Sequence, residues 1–179
     1  MKAILMSIKP KWCEKIFSGE KTIEVRKSAP KEVPFKAYLY CTNGRFDITD
    51  IDDLTSESVR VVSEGRGKVI GEFVCNQVRD YIPFGLRGYE LPSEWLKNMC
   101  LSKEQLDRYG GLKTLHGWHI SDLKIYDTPR ELGEFKTPDK PYHKIIERKG
   151  SLMFIDGYES GKPLKRAPQS WQFVEEVEE

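Results

Sequence analysis

The sequence predicts an α+β fold: a small, mostly antiparallel β-barrel of five to seven short strands, with two or three helices packed outside it. Three observations favour this fold. The chain has 179 residues, about the size of one domain. Short apolar or alternating segments recur along it and are separated by turn residues. Strand and helix patterns do not alternate regularly, which disfavours a parallel sheet covered by helices on both faces.

The individual elements follow from local patterns. Pro10 suits the first turn of a helix, and Gly19 suits its C-terminal cap. Ser102 and Gln105 form a capping-box pattern at the start of another helix. Gly71 inside an apolar segment indicates a bulge or a tight bend. We therefore predict helices at 10–18, 92–99 and 102–109, and strands at 3–8, 21–26, 35–41, 68–78, 117–126, 152–155 and 170–174.

The whole chain, 1–179, is interpreted as one domain with two insertions and an acidic C-terminal tail. The first insertion, at about 44–66, is acidic and weakly periodic. The second, at about 134–166, is rich in Lys, Pro and Gly, and we expect a loop there with at most one short hairpin strand.

The charge distribution is uneven along the chain. The totals of 29 basic and 28 acidic residues leave a net charge of +1, which excludes a uniformly basic nucleic-acid binder. Residues 1–40, however, hold nine basic and four acidic residues. A basic face of this kind can attract a polyanion. A solvated surface of mixed charge explains the same counts equally well.

Several classes of protein are disfavoured by composition and motif. No run of 18 apolar residues is present, so we expect no membrane partner. We expect neither a metal nor another cofactor, because the cysteines lack metal-ligand spacing and no nucleotide-binding glycine motif is found. Nothing identifies a protein partner. Four cysteines outside any CxxC pair are typical of reduced thiols in a cytoplasmic protein: Cys13, Cys41, Cys75 and Cys100.

The most informative motif is GEKTIEVR at 19–26, which has the form GxKxxExR and follows a predicted helix. Glu24 and Arg26 are two residues apart and share one face of a strand. Lys21 would face the other way in a regular strand, so it must lie at an irregular strand start if the three side chains are to meet. Such a cluster can bind a phosphate or the edge of a base. The alternative is an ion-pair ladder on the surface that contributes little.

This motif and its flanks resemble the ASCH domain, a branch of the PUA-like β-barrels, in a longer bacterial or phage-type form. The matching segments are SIKP at 7–10, EKIFSG at 14–19, VIGEF at 69–73 and PQSW at 168–171. The resemblance implies an RNA- or nucleotide-binding module whose cleft is lined by the motif. The implied binding residues are Ser7, Lys9, Lys21, Glu24, Arg26, Gln169, Ser170 and Trp171.

The sequence leaves the roles of two aromatic or titratable side chains open. Trp171 either stacks on a base or packs in the core, and core packing is the commoner role for a tryptophan in a strand. His119 is a weaker candidate for a general base, since an isolated strand histidine is more often a surface or hydrogen-bonded residue.

Two enzymatic alternatives also come from the resemblance. Related amidohydrolases remove the acetyl group from acetylated cytidine with a Lys, a Thr three residues later and a distant Glu. Here the catalytic set would be Lys21, Glu24 and Thr22, with Glu24 at the Thr position. A carboxylate there is a poor replacement for a hydroxyl and favours a charged ammonium on the lysine. Candidates for the distant acid are Glu72, Glu94 and Glu104. The second alternative is a metal-independent ribonuclease that uses the Lys–Glu pair.

Overall fold

The computed structural model describes residues 1–43, 62–82, 91–148 and 151–177. The strands in these ranges are β1 (Lys2–Ile8), β2 (Ile23–Arg26), β3 (Phe35–Cys41), β4 (Val69–Cys75), β5 (Val78–Tyr81), β6 (Leu115–His119), β7 (Ser121–Arg130), β8 (Lys140–Arg148), β9 (Ser151–Glu159) and β10 (Trp171–Val174). The helices are α1 (Pro10–Phe17), α2 (Ser93–Met99) and α3 (Lys103–Gly110), with a 3-10 turn at Leu132–Glu134.

The described strands form three sheets. The largest has the order β10-β1-β3-β4-β7, the second has the order β2-β6-β5, and β8 pairs with β9 alone. All pairs are antiparallel except β1 with β3. The predicted α+β class and the mostly antiparallel pairing are therefore confirmed. The predicted barrel closure is wrong for the described strands, because no ladder joins the second sheet to the largest one.

The two larger sheets pack against each other through aromatic side chains. Trp118 of β6 is fully buried, and its ring lies edge-on to Phe35 of β3 with the centroids 5.2 Å apart. Ile4, Met6 and other apolar side chains complete this core. Alternate residues of β1 and β3 contribute to this core, so burial of one face of these strands packs the largest sheet against the second sheet.

Two predicted strands are each divided where the chain passes from one sheet to the other. The predicted strand 117–126 becomes β6 and β7, and the predicted strand 68–78 becomes β4 and β5. At these corners the His119 N–H donates to the carbonyl of Gln77 (3.0 Å), and the Ile120 N–H donates to the carbonyl of Thr22 (2.9 Å). Both segments thus change their hydrogen-bonding partners within a few residues. The hydrophobic pattern of a sequence does not reveal such a change.

The prediction of a loop at 134–166 is wrong over most of that segment. β8 and β9 form a regular hairpin from Lys140 opposite Glu159 to Arg148 opposite Ser151. Its apolar side chains are largely exposed, with Ile145 at 63% and Phe154 at 76%. A hairpin that buries neither face has no amphipathic pattern, so its strands are hard to recognise from sequence. Most of the first insertion, 44–61, lies outside the described residues.

The predicted caps are confirmed. Gly19 follows α1 with φ +79°, a left-handed conformation that favours glycine. The Gln105 N–H donates to Ser102 Oγ (3.2 Å) and the Ser102 N–H donates to Gln105 Oε1 (2.8 Å), which completes the capping box of α3. These contacts fix where α1 and α3 end and begin, and both helices contribute side chains to the site described below.

The bend predicted at Gly71 provides a test of the largest sheet. A Cβ at this position would lie 2.6 Å from the backbone oxygen of Lys124, where β4 and β7 shift register. Gly71→Ala should therefore destabilise the protein by about 1–3 kcal/mol, because two backbones must separate. Gly133→Ala is the control, since a Cβ there has no atom within 4 Å. Urea unfolding measures both variants, and equal stabilities would contradict the close approach.

Candidate functional site

A buried ion cluster forms at the start and middle of β2. The side chains of Lys21, Glu24 and Arg26 are only 2%, 8% and 10% exposed. Lys21 Nζ lies 3.4 Å from Glu24 Oε2, and Arg26 Nε lies 3.1 Å from Glu24 Oε1. The Glu24 carboxylate is thus held between two cations.

Lys21 lies just before β2, at the irregular strand start that the motif requires. The Lys21 N–H donates to the carbonyl of Lys15 (2.7 Å), and the Thr22 N–H donates to the carbonyl of Asn98 (3.0 Å). These bonds to the last turns of α1 and α2 keep the segment out of the β2–β6 ladder. The Lys21 side chain can therefore turn to the same side as Glu24.

The Lys21 ammonium has three acceptors for its three N–H groups. It donates to the carbonyls of Ile23 (2.9 Å) and Met99 (2.6 Å), and the Glu24 carboxylate is the third neighbour. Met99 ends α2, where helix carbonyls carry partial negative charge. The arrangement uses the donors of the ammonium group within the protein.

Arg26 connects the cluster to the end of β1. Its Nη2 donates to the carbonyl of Ser7 (2.8 Å). Ser7 is fixed in turn by the C-terminal segment: its N–H donates to the carbonyl of Ser170 (2.9 Å), and its Oγ donates to the carbonyl of Pro168 (2.6 Å). The PQSW segment thus holds the strand end that Arg26 contacts.

The cluster lies in the lining of a cavity of about 450 Å³. Six of the eight predicted binding residues line this cavity: Ser7, Lys9, Lys21, Glu24, Arg26 and Gln169. The remaining described lining residues are Ile8, Trp12, Val25, Thr42, Leu101, Gln105 and Tyr109. The structure therefore brings both ends of the chain together with α1 and α3 around the motif.

Ser170 and Trp171 do not belong to the described lining. The Trp171 indole N–H faces the Ser28 side-chain oxygen (3.1 Å) and the Ser28 carbonyl (3.3 Å). Its ring meets Trp118 and Phe173 edge-on, with centroids 5.9 and 5.4 Å apart. Trp171 thus packs at the margin of the core.

His119 and Thr22 also lie outside the described lining. The His119 ring is edge-on to Trp95, with centroids 5.8 Å apart. Burial lowers the pKa of His119, and the positive charge of Arg79 lowers it further. The Thr22 side chain is exposed, and its backbone groups bond to neighbouring segments.

The three candidates for a distant catalytic acid lie elsewhere. Glu72 accepts a hydrogen bond from the Tyr126 hydroxyl (2.6 Å) and pairs with Lys36 (3.4 Å) in the largest sheet. Glu94 and Glu104 belong to the first turns of α2 and α3. Among the described lining residues, Glu24 is the one carboxylate.

Sequence reasoning missed two aromatic side chains of the cavity. Lys11 Nζ lies 4.7 Å and Lys21 Nζ lies 5.1 Å from the ring centroid of Trp12. Tyr109 is 40% exposed, and Lys27 Nζ lies 4.8 Å from its ring centroid. Burial raises the pKa of Tyr109, which keeps its hydroxyl protonated at neutral pH.

Gln105 and Tyr109 lie four residues apart on α3, and both line the cavity. This spacing was the available sequence signal, since residues four apart share a helix face. The capping box fixes the Gln105 side chain through its Oε1. The Tyr81 hydroxyl, which donates to Asp107 Oδ1 (2.9 Å), fastens α3 to β5. The capping box thus fixes the Gln105 side chain, and the Tyr81–Asp107 hydrogen bond fixes α3 against β5.

The described residues hold no group of three His, Cys, Asp or Glu side chains placed to bind one metal ion. Their helices are too short or too polar to span a lipid bilayer. All four cysteines are free thiols, and burial raises the pKa of Cys75 to about 11.

Because the Lys21 ammonium contacts three buried acceptors, its removal should destabilise the protein strongly. Lys21→Met keeps the stem but leaves two carbonyls and the Glu24 carboxylate without the ammonium, so the free energy of unfolding should fall by about 3–5 kcal/mol. Lys15→Met is the matched control, because the exposed Lys15–Glu20 pair (3.1 Å) should contribute about 1 kcal/mol or less. Urea unfolding measures both variants. If Lys21→Met lowers the free energy of unfolding no more than Lys15→Met, the prediction is wrong.

The Tyr81–Asp107 contact predicts a pH dependence at high pH. Burial and the Asp107 carboxylate raise the pKa of Tyr81 to about 12, whereas an unfolded chain has a tyrosine pKa of about 10. The unfolded state thus loses its proton first, and stability falls as pH rises from about 10 towards 12. Tyr81→Phe should flatten this fall in unfolding free energy. Parallel curves for wild type and variant would contradict the assignment.

Comparisons with known proteins agree with this architecture. A family model for the ASCH domain matches residues 6–117, more than half of the chain. The crystal structure of ASCH from Zymomonas mobilis is 20% identical with a TM-score of 0.50, covering 73% of this chain and 74% of that chain. A mutant of the same protein is 16% identical with a TM-score of 0.56, covering 97% and 89%. At these identities the similarity shows a shared fold. No curated protein has significant sequence similarity to the chain. On the family match, the chain belongs to the ASCH domain family, whose structures have a PUA-like fold.

Proposed function

We propose that the chain binds an RNA nucleotide in the cavity around the GxKxxExR motif. One observation carries this proposal: Glu24 is fixed between Lys21 and Arg26 in the lining of a cavity of about 450 Å³ that also contains exposed aromatic surface. The family supports the same class of function, since ASCH domains are generally RNA-binding or hydrolase-like.

The chemistry of the lining suits a nucleobase. Its volume falls in the range of about 300–1,000 Å³ found for small-molecule sites. The Glu24 carboxylate can accept from an amino or ring N–H group of a base, and Arg26 can donate to a carbonyl oxygen. The Tyr109 ring, 40% exposed, offers a stacking surface that tolerates any base.

The charge of the lining suits the phosphate of a nucleotide. The described lining holds one carboxylate, Glu24, and three cations, Lys9, Lys21 and Arg26. Lys21 and Arg26 are committed to protein partners, whereas Lys9 is exposed and has no carboxylate partner among the described residues. We infer that the base enters towards Glu24 and that its phosphate remains near Lys9.

The contacts favour binding over catalysis. An amidohydrolase or ribonuclease that uses Lys21 as a base needs an amine with a free lone pair. Here the lysine donates to two carbonyls and faces a carboxylate. Thr22, the nearest hydroxyl in the motif, lies outside the described lining.

The experiment is a calorimetric titration of the four ribonucleoside monophosphates, with an acetylcytidine turnover assay alongside. Tyr109→Leu should weaken binding of at least one nucleotide by about tenfold, because a stacked base contributes about 1–3 kcal/mol. Tyr158→Leu is the matched control, since Tyr158 is 74% exposed on the β8–β9 hairpin, which contributes no residue to the described lining. We expect wild type to turn over little or no acetylcytidine.

Two outcomes would overturn this proposal. One is the absence of binding to any monophosphate, or an equal effect of the two tyrosine variants. The other is efficient acetylcytidine hydrolysis by wild type, which would make the cavity an amidohydrolase site.

A further inference from the structure

The β8–β9 hairpin has one face that is both apolar and exposed. Residues directly opposite each other in an antiparallel pair share a face, as do alternate residues along each strand. The face with the Ile145–Phe154 pair therefore holds three more pairs of the register: Glu147–Leu152, His143–Asp156 and Pro141–Tyr158. Its Ile, Leu, Phe and Tyr side chains are 63% to 76% exposed. We call this face the apolar hairpin face.

The opposite face of the hairpin is partly covered by its own side chains. Ile146 and Met153 on that face are 38% and 45% exposed. The Tyr142 ring lies over Gly157, where a Cβ would be 2.8 Å from the ring, and Lys144 Nζ lies 4.9 Å from the centroid of the same ring. A lysine on a strand opposes association with other sheets. The eight paired residues of the apolar hairpin face include no lysine.

The hairpin is anchored only near its root among the described contacts. The Gly161 N–H donates to Asp139 Oδ1 (2.8 Å), and the Glu175 N–H donates to the carbonyl of Lys136 (3.0 Å). Neither β8 nor β9 forms a ladder with another described strand. A two-stranded hairpin is only marginally stable in water unless a further strand or a packed face supports it. A nine-pair hairpin with an exposed apolar face is therefore suited to being covered by another surface.

The area of the apolar hairpin face is close to what a specific interface needs. From typical side-chain areas, its four exposed apolar side chains present about 300–500 Å² to solvent. Two copies in contact would bury about 600–1,000 Å² of apolar surface, and apolar atoms make up about 60% of an interface. The total of about 1,000–1,500 Å² reaches the lower range of specific protein–protein contacts.

The apolar hairpin face is complementary to itself. A two-fold axis that runs along the hairpin between two facing copies places each residue against its own cross-strand neighbour in the other copy. Ile145 then faces the partner's Phe154, and His143 faces the partner's Asp156. Within one copy, His143 Nδ1 lies 2.7 Å from Asp156 Oδ1, so the same donor–acceptor match recurs across the axis. A two-fold interface requires this kind of self-complementarity.

We propose that the apolar hairpin face is a homodimerisation surface, on which the hairpins of two copies of this chain pack face to face about a two-fold axis. Glu147 lies near the end of the ladder, where it remains at the solvated rim of the contact. The hairpin contributes no residue to the described lining of the cavity, so the inference is independent of the proposed function.

The test is sedimentation velocity of the full chain over about 1–200 µM protein, the range in which a contact of this modest area should dissociate. Wild type should pass from monomer to dimer as the concentration rises. Phe154→Lys should raise the dissociation constant by about 100-fold, because two-fold symmetry introduces the substitution on both sides of the contact.

Two control variants introduce the same lysine elsewhere. Met153→Lys changes the neighbouring residue, whose side chain is on the opposite face of the hairpin. Leu112→Lys changes a side chain that is 91% exposed between α3 and β6. Both should keep the wild-type dissociation constant. Circular dichroism checks that all variants are folded, and Ile145→Lys repeats the decisive substitution on β8.

Four outcomes would overturn this inference. Wild type that stays monomeric over the whole range excludes the homodimer and leaves the face to a different partner. A dimer that Phe154→Lys and Ile145→Lys do not weaken uses another surface. Equal weakening by Met153→Lys contradicts the assigned face. Growth beyond a dimer indicates open pairing of strand edges and contradicts the closed two-fold contact.

Discussion

The burial of Glu24 between Lys21 and Arg26 is the constraint on which the site depends. Ionised groups that leave water must recover their solvation from protein partners, or they destabilise the fold by several kcal/mol. The partners come from separate elements: Met99 ends α2, and Ser7 lies near the end of β1. The contacts of the ion cluster therefore position α2 and β1 relative to β2, and residues at β1 and β2 line the cavity.

Part of this site can be deduced from sequence because a strand has a period of two. That period requires Lys21 to leave the regular strand if it is to meet Glu24, and the structure places it before β2. The carbonyl of Met99, 78 residues away, is not predictable in this way, since every residue has a carbonyl. The capping box located the start of α3, but the direction of the face with Gln105 and Tyr109 depends on how the helix packs.

The errors in the predicted fold have one physical origin. Hydrophobic periodicity reports which side of a segment is buried, and it does so only where one side is buried. The β8–β9 hairpin exposes Ile145 and Phe154, so no pattern of buried and exposed positions marks its strands in the sequence. The segments 68–78 and 117–126 each have the pattern of a single strand, yet each changes sheet partway along. Periodicity does not say which strand a buried residue pairs with, so it predicted the strand content better than the sheet closure.

The same contacts that stabilise the ion cluster limit what its members do. A lysine whose donors are used within the protein positions its neighbour, and here that neighbour is the Glu24 carboxylate. On the proposed function, recognition of a base belongs to the remaining acceptor positions of Glu24, and attraction of a phosphate belongs to Lys9, which has no carboxylate partner among the described residues. The net charge of +1 conceals this division, because carboxylates neutralise most of the basic residues in the first 40 positions. The distribution of charge over the surface is therefore more informative about a possible ligand than the sum of charges.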